Sequence, residues 1–339
     1  MSEDAGTETG TVTADDVAAA AGVSRWTVGR AFRRDASISE KSRKKVLAAA
    51  QSLGYAPDLL AASLASDRSN LVALLIDDFE NPHKLIMLES LSRVLRDEGW
   101  GTLLVNMKGE ADAPLALLGA SQRRVDAAVL NGTWFDERII RTALGARRVK
   151  KLIVFGRVSD SPDTISICCD DVAALRTIAA FVDEQGYQSP LYVAGPDTHS
   201  AILRRKDTFL AEWRALRGRS PPFMHLDQYN IGLARDCVLA ALTGGRRDRR
   251  PDILVCENDA LAIGAMDAIR SDLALSIPGD IAVIGFDDVA LAALPTYNLT
   301  TWRQPIAEMT MALVEVLRSE HDAANEILFA GEFVRRGSA

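Results

Sequence analysis

Apolar positions in this 339-residue chain follow two different periods. Over roughly the first seventy residues they recur at helical spacing in short blocks. Val17, Ala18 and Ala21 form one stripe, and Val28, Ala31 and Phe32 another. From Leu71 onward, short continuous apolar runs alternate with longer amphipathic segments. The runs begin at Leu71, Gly101, Asp126, Lys151, Ile165, Pro190, Asp252 and Ile281, and they read as strands buried on both faces. His83–Glu98, Val172–Gln185, Ser200–Arg217, Ile231–Leu242 and Ala260–Ser271 read as the helices between them. The alternation predicts parallel sheets with helices on both sides. There are too many strands for one compact sheet, so the pattern predicts two α/β lobes, centred on Leu71–Ile167 and Cys169–Leu294.

Punctuation in the N-terminal block is specific. Thr13 is placed to cap a helix whose first turn carries Asp15 and Asp16, where the helix dipole favours acid. Gly22 supplies a residue tolerant of positive φ, and Ser24 caps a second helix. The outward face of that helix carries Arg25, Trp26, Thr27 and Arg30. Two short helices about a Gly-containing turn form a helix-turn-helix, whose second helix enters the DNA major groove by its N-terminal end. The competing reading is a small helical subdomain with a solvated basic face. A third helix, capped by Ser39, carries Lys41, Arg43, Lys44 and Lys45. After Gly54-Tyr55-Ala56-Pro57 comes a narrow apolar strip of Leu60, Ala61 and Leu64. A helix of that length is not stable by itself and needs a partner.

Composition alters this picture in two respects. The net charge of −7 looks unsuited to a DNA binder until it is divided. Ser24–Lys45 holds eight basic and two acidic residues, so the acid surplus lies beyond residue 70. Charges further away than roughly 8–10 Å are largely screened at physiological salt, so the local excess governs contact with DNA. No apolar run reaches the roughly 18–20 residues that span a bilayer. MSEDAGTETGTV lacks the basic and apolar regions of a secretory signal, so residues 1–11 are expected to be a disordered leader and the protein cytoplasmic, with no membrane partner. Cys168, Cys169, Cys237 and Cys256 show no metal-ligand spacing and the four histidines are scattered. No metal and no cofactor is expected. G-x-G-x-x-G after a strand, G-x-x-x-x-G-K-[ST], G-x-S-x-G and H-E-x-x-H are all missing, which argues against an enzyme. The alternative is a sugar-binding sensor or an α/β-class enzyme with an accessory helical domain.

VTADDVAAAAGVSRWTVGRAF and LGYAPDLLAASL, followed in order by DDFENPHK, ENDALAIGAM, VIGFDD and LTTWRQP, resemble the LacI/GalR family of bacterial transcription repressors. The resemblance implies an all-α helix-turn-helix headpiece over residues 12–56 and a hinge helix and linker over 57–70. It implies an α/β core of two doubly wound parallel-sheet lobes of periplasmic-binding-protein type. The first lobe takes 71–168 plus 303–322 and the second 169–302 plus 323–339, with Thr300–Gln304 as the last crossing. Ile306–Arg318 is expected to return to the first lobe and Glu326–Arg335 to the second. The implied assembly is a homodimer, or a dimer of dimers, on a pseudo-palindromic double-stranded operator. A small-molecule effector, a sugar or sugar derivative, controls it.

Arg25, Trp26 and Arg30 are the candidate base readers, with phosphate as the other partner for Arg30. Thr13, Ser24, Thr27 and the basic third helix would hold the backbone. Ala61 and Leu64 are assigned to DNA through the hinge, Leu64 as a minor-groove wedge or else a core leucine. In the core, ligands of open α/β sheets sit outside the carboxyl ends of the strands. Asp, Asn and Arg there suit a polyol, and Trp134, Phe79 or Phe286 can stack on a sugar face. The resemblance implies effector contacts at Asp78, Phe79, Asn131, Arg157, Arg205, Asp259, Asp287 and Trp302, to which Trp134 is added. Asp170 and Asn258 also read as helix caps, Asp288 as a turn residue and Arg157 as a lobe–lobe salt-bridge partner. The chain departs from the family pattern at Gly29, where a small hydroxyl residue is common, and at Trp26, Asp58, Ala62 and Thr208.

Overall fold

The computed structural model describes residues 11–32, 36–57, 68–107, 118–120, 122–132, 149–198, 201–244, 250–319 and 325–339. They fall into two compact units, divided between Ser69 and Asn70.

The first unit contains helices α1 (Ala14–Ala21), α2 (Arg25–Ala31) and α3 (Glu40–Leu53). Thr13 and Asp16 form a reciprocal capping box, with Thr13 N donating to Asp16 Oδ2 at 2.8 Å. Gly22 ends α1 at φ 65°, a left-handed conformation in which a Cβ is strained. Ser24 and Ser39 accept from the backbone N–H of Thr27 and Ser42, as helix caps do. Val17, Val28 and Val46, one from each helix, are fully buried at the centre. Arg43 donates to the carbonyls of Ala31 and Ala36 at 2.8 and 3.1 Å, so this member of the basic helix fastens the segment after α2.

The second unit holds two parallel sheets. The first runs β11-β5-β4-β3-β1-β2, with β1 (Leu71–Ile76), β2 (Gly101–Asn106), β3 (Ala127–Asn131), β4 (Lys151–Phe155), β5 (Ile165–Cys169) and β11 (Glu326–Phe329). Side chains alternate across it. Val72, Leu74, Val129 and Ile153 face α4 (Pro82–Asp97) and α9 (Ile306–Arg318), while Ala73, Leu75, Ala128 and Leu130 face the opposite cluster. The second sheet runs β7-β6-β8-β9, with β6 (Pro190–Ala194), β7 (Phe223–His225), β8 (Ile253–Cys256) and β9 (Ala282–Ile284). On one face lie α7 (Ile231–Gly244) and α8 (Asp259–Asp267). On the other lie α5 (Asp171–Glu184) and α6 (Arg205–Arg217), which bring Phe181, Phe209 and Trp213 into the core.

All eight sequence-read strands are present. Phe223–His225 was not foreseen: it is a three-residue edge strand, too short to show a period. α6 begins at Arg205 rather than Ser200, because Ile202 is held in a bridge with Val158. α8 gives way at Ala268 to a wider turn through Asp272. The C-terminal assignment needs correction. Glu326–Phe329 does not go to the second lobe; it pairs in parallel with Ser166–Cys169 and closes the edge of the first sheet. Only β12 (Glu332–Val334) reaches the second lobe, pairing antiparallel with β10 (Thr301–Arg303). The last crossing is therefore the turn at Ala330 and Gly331, not Thr300–Gln304.

Candidate functional site

The first unit presents one chemically distinctive surface. Ser24, Arg25 and Trp26 lie at the exposed start of α2, and Trp26 is 69% exposed. The Arg30 guanidinium lies over its ring, 4.3 Å from the centroid, so the two side chains form one cationic aromatic plate. Arg25 pairs with Asp15 at 3.2 Å, but both are largely exposed and such a pair is weak. The Ser24 and Thr27 hydroxyls are 2.9 Å apart beside the helix start, and Thr13 is exposed at the start of α1. Ala61, Leu64, Asp58 and Ala62 lie outside the described residues.

The second unit has a cleft at the carboxyl ends of its strands. From the first lobe come Asn131 at the end of β3, Arg157 just past β4, and Asn81, His83 and Lys84 at the start of α4. Asn81 caps α4, accepting from His83 N at 3.0 Å, with Pro82 in the first turn where its missing N–H costs nothing. That cap fixes the direction in which His83 and Lys84 leave the helix. From the second lobe come Arg205, the first residue of α6, with Tyr229, Asn258 and Asp287. Gln304 enters from the crossing segment.

The charged groups are held in a definite order. Arg205 Nε donates to Asp171 Oδ1 at 2.9 Å and Nη1 to the Glu257 carbonyl at 2.9 Å, and its guanidinium is 3.5 Å from the Phe286 ring centroid. Burial pulls its pKa down, but Asp171 and Asp287 more than reverse this, so Arg205 stays charged. Asp287 Oδ1 accepts from Gln304 Nε2 at 2.7 Å and lies 3.6 Å from Arg205. Arg157 Nη2 donates to the Tyr229 hydroxyl at 3.2 Å, which donates in turn to Glu257 Oε1 at 2.6 Å. Tyr229 packs on Gly195 so closely that a Cβ there would sit 2.0 Å from its ring. Lys84 Nζ donates to Asn131 Oδ1, and burial lowers the Lys84 pKa to about 8. The cavity enclosed is about 30 Å³, room for one or two waters.

Of the nine effector positions read from sequence, this arrangement brings four together: Asn131, Arg157, Arg205 and Asp287. Four others do not line the cavity. Asp78 is turned back onto its own loop, accepting from Glu80 N and Asn81 N at 2.9 and 3.2 Å, and Phe79 follows it on that loop. Asp259 is fully buried and accepts from Val289 N and the Thr301 hydroxyl at 2.8 and 2.6 Å. Burial holds its pKa well above the carboxylate range. Trp302 stacks between Phe286 and Phe333, each 6.3 Å away, as part of the second lobe's core. Trp134 lies outside the described residues. Asp170 and Asn258 are helix caps as read, and Asp288 is a turn residue at φ 53°. Arg157 bridges the lobes through Tyr229 rather than through a salt bridge. His83, Lys84, Tyr229 and Gln304 were missed. For His83 and Lys84 a signal existed: Asn-Pro opens a helix directly after a strand end, and its first turn must face the cleft.

Residues 13–58 match the family of bacterial regulatory proteins called the lacI family, and residues 179–339 match a periplasmic binding protein-like domain. The chain is 29% identical over 307 residues to the sucrose operon repressor of Escherichia coli, covering 86% of this chain and 88% of that one. It is 29% identical over 311 residues to the ribose operon repressor of Escherichia coli (strain K12), covering 90% and 92%. The Lac repressor bound to ONPG in its repressed state has the same fold, with a TM-score of 0.78 at 21% identity over 97% of this chain and 100% of that one. One chain thus joins a lacI-family helix-turn-helix domain to a periplasmic binding protein-like domain and is similar along most of its length to lacI-type operon repressors.

Proposed function

We propose that this protein is a cytoplasmic, homodimeric transcriptional repressor that binds a pseudo-palindromic operator and releases or tightens its grip when a small polyol or sugar derivative occupies the cleft. The observation that carries the reading is the exposed α2 start: Arg25, Trp26 and Arg30 on a helix whose fold matches a DNA-reading headpiece. Arg25 suits guanine O6 and N7, a pairing worth about 1–3 kcal/mol of discrimination. Trp26 suits a thymine methyl or sugar face. Thr13, Ser24 and Thr27 take phosphates, and Leu64, with Ala61 beside it, acts as the hinge wedge in the minor groove.

In the cleft, Arg205 and Asp287 are the principal polyol contacts, with Asn131 and Arg157 on the facing wall. Ordering the hinge costs on the order of 1–2 kcal/mol per backbone residue, which DNA and the partner hinge must offset. A coupling of about 1–3 kcal/mol between cleft and hinge then alters operator affinity 5- to 150-fold. The sucrose and ribose operon repressors support a sugar-related effector. The reading assigns regulation, not catalysis. A gel-shift titration of the purified protein against fragments of its own genome tests it. Sequence-specific, salt-sensitive binding is expected, and indifference to every fragment rejects it.

A further inference from the structure

Among the described residues, three cations (Lys84, Arg157 and Arg205) and one carboxylate (Asp287) line the cavity. Lys84 and Arg157 are each only 6% exposed, and both line the cavity. The ion pairs at the cleft join Arg205 to Asp171 and Asp287, and the neutral His83 ring lies 3.8 Å from Asp287. Among the described residues no carboxylate lies within 4.0 Å of the Lys84 ammonium or the Arg157 guanidinium. Among the described residues, buried Arg157 Nη1 has no hydrogen-bond partner and Lys84 Nζ has the Asn131 amide oxygen, a neutral acceptor. Asp77, Asp78 and Asp287 act on Lys84 only from beyond contact distance, so an anionic group that comes into direct contact with the two buried cations is bound strongly.

A second feature points the same way. α4 is 16 residues long, and its N-terminus opens on the cavity with no acid in its first turn; His83 and Lys84 occupy it instead. Pro82 has no N–H and those of His83 and Lys84 are taken by Asn81, so the helix start contributes the partial positive charge of its dipole rather than free donors, and this favours anions. Two acceptors complete the site, both suited to hydroxyls: Gln304 Oε1, buried and without a partner among the described residues, and the Asp287 carboxylate beside it.

We propose, building on the effector reading above, that the ligand is an anionic polyol, a sugar acid or sugar phosphate, whose oxyanion sits between Lys84 and Arg157 while its hydroxyls meet Asp287 and Gln304. A neutral sugar brings no contact counter-charge to either cation and binds weakly. The shared chemistry is an oxyanion next to hydroxyl-bearing carbons.

The test is thermal unfolding of the full-length protein with inorganic phosphate, gluconate or glucose, each titrated at constant ionic strength against sodium chloride. A saturable rise in Tm is expected with at least one anion and none with glucose. Gluconate alone acting identifies a carboxylate, phosphate alone a phosphate ester. Lys84→Met is expected to weaken the apparent affinity for the active anion at least tenfold, and Arg157→Gln serves where the first variant does not fold. An anion effect unchanged in both variants places binding elsewhere, on the basic headpiece for example, and overturns the proposal. Stabilisation by glucose with neither anion active overturns it too, while leaving the effector reading intact. Silence of all three probes overturns it as well; the effector reading then stands or falls on operator titrations with neutral sugars.

Discussion

The Gln304 amide nitrogen lies between two acceptors from opposite walls of the cleft, 2.7 Å from Asp287 Oδ1 and 3.0 Å from His83 Nε2. One amide has two hydrogens, so both bonds form only while His83 is neutral with its proton on Nδ1. Burial enforces that state by lowering the His83 pKa; Asp287 opposes it and Arg205 adds to it. The sign of the pH dependence follows. Above about pH 6.5 the histidine is neutral folded or unfolded, and its contribution is fully present. As pH falls below 6.5 the unfolded chain takes up a proton that the folded chain refuses, so stability declines, by at most about 1.4 kcal/mol per pH unit, until the folded pKa is passed. Urea unfolding of wild type and His83→Gln between pH 8 and 5 measures it. The wild-type curve is expected to fall more steeply below pH 6.5, and parallel curves reject the neutral histidine.

Arg205 depends on a residue that contributes nothing to the cavity wall. Asp171, at the first position of α5, holds its Nε, and both side chains are buried. Asp171→Ala strands a buried guanidinium and is expected to cost about 3–5 kcal/mol of core stability. Replacing both, as Asp171→Leu with Arg205→Met, is expected to recover most of that loss while abolishing ligand response. Urea unfolding of the two singles and the double gives the coupling. Additive single effects would show that the pair is not acting as a unit.

These two cases mark what the chain's order of residues discloses. Strand and helix positions follow from period and punctuation, which are local, and Thr13, Gly22, Ser24 and Asn258 behave as their side-chain chemistry requires. Arg205 and Asp287 were legible because strand ends and helix starts face the cleft in this architecture. Asp259 and Trp302 were not, because a carboxylate or an indole at the right register can turn either into the cleft or behind it. Here Gly285 and the aromatic stack take them behind: a Cβ on Gly285 would lie 2.1 Å from Asp259 Oδ1. Lys84 escaped notice because a lysine in a helical segment ordinarily faces water, and only the tertiary fold buries it. Glu326–Phe329 misled because the choice of sheet edge depends on a partner 160 residues away, Ser166–Cys169.

The headpiece surface separates base reading from general attraction. Arg25→Ala is expected to weaken binding to the preferred operator by about 1–3 kcal/mol and to narrow the gap between operator and random DNA. Lys45→Ala, on the exposed side of α3, is expected to weaken both nearly alike and to lower the salt slope by roughly 1. Fluorescence anisotropy titrations on operator and random duplexes at several salt concentrations distinguish the two. Trp26 offers an internal probe: it is exposed, Trp213 and Trp302 are buried and Trp100 is partly buried, and Trp26→Phe isolates its share of the signal. Operator is expected to shield it from acrylamide, an effect lost in Trp26→Phe.

Gly29 interrupts the middle of α2, and a Cβ built there meets nothing within 4 Å. The glycine is therefore not required by packing, nor does its φ fall in the left-handed region. Gly29→Ala is expected to stabilise the headpiece by about 0.5–1 kcal/mol by restricting the unfolded chain and favouring helix. The same open, exposed position faces the side of α2 that carries Arg25 and Trp26. Gly29→Ser adds a hydroxyl in reach of a phosphate, worth about 1 kcal/mol or roughly fivefold in operator Kd beyond the alanine variant. Hydrogen exchange of the α2 amides reads the first effect, and paired operator titrations of the two variants read the second. Slower exchange in both with tighter binding only in Gly29→Ser is the expected result. Equal Kd values for alanine and serine would mean that this turn of α2 does not lie against the DNA backbone.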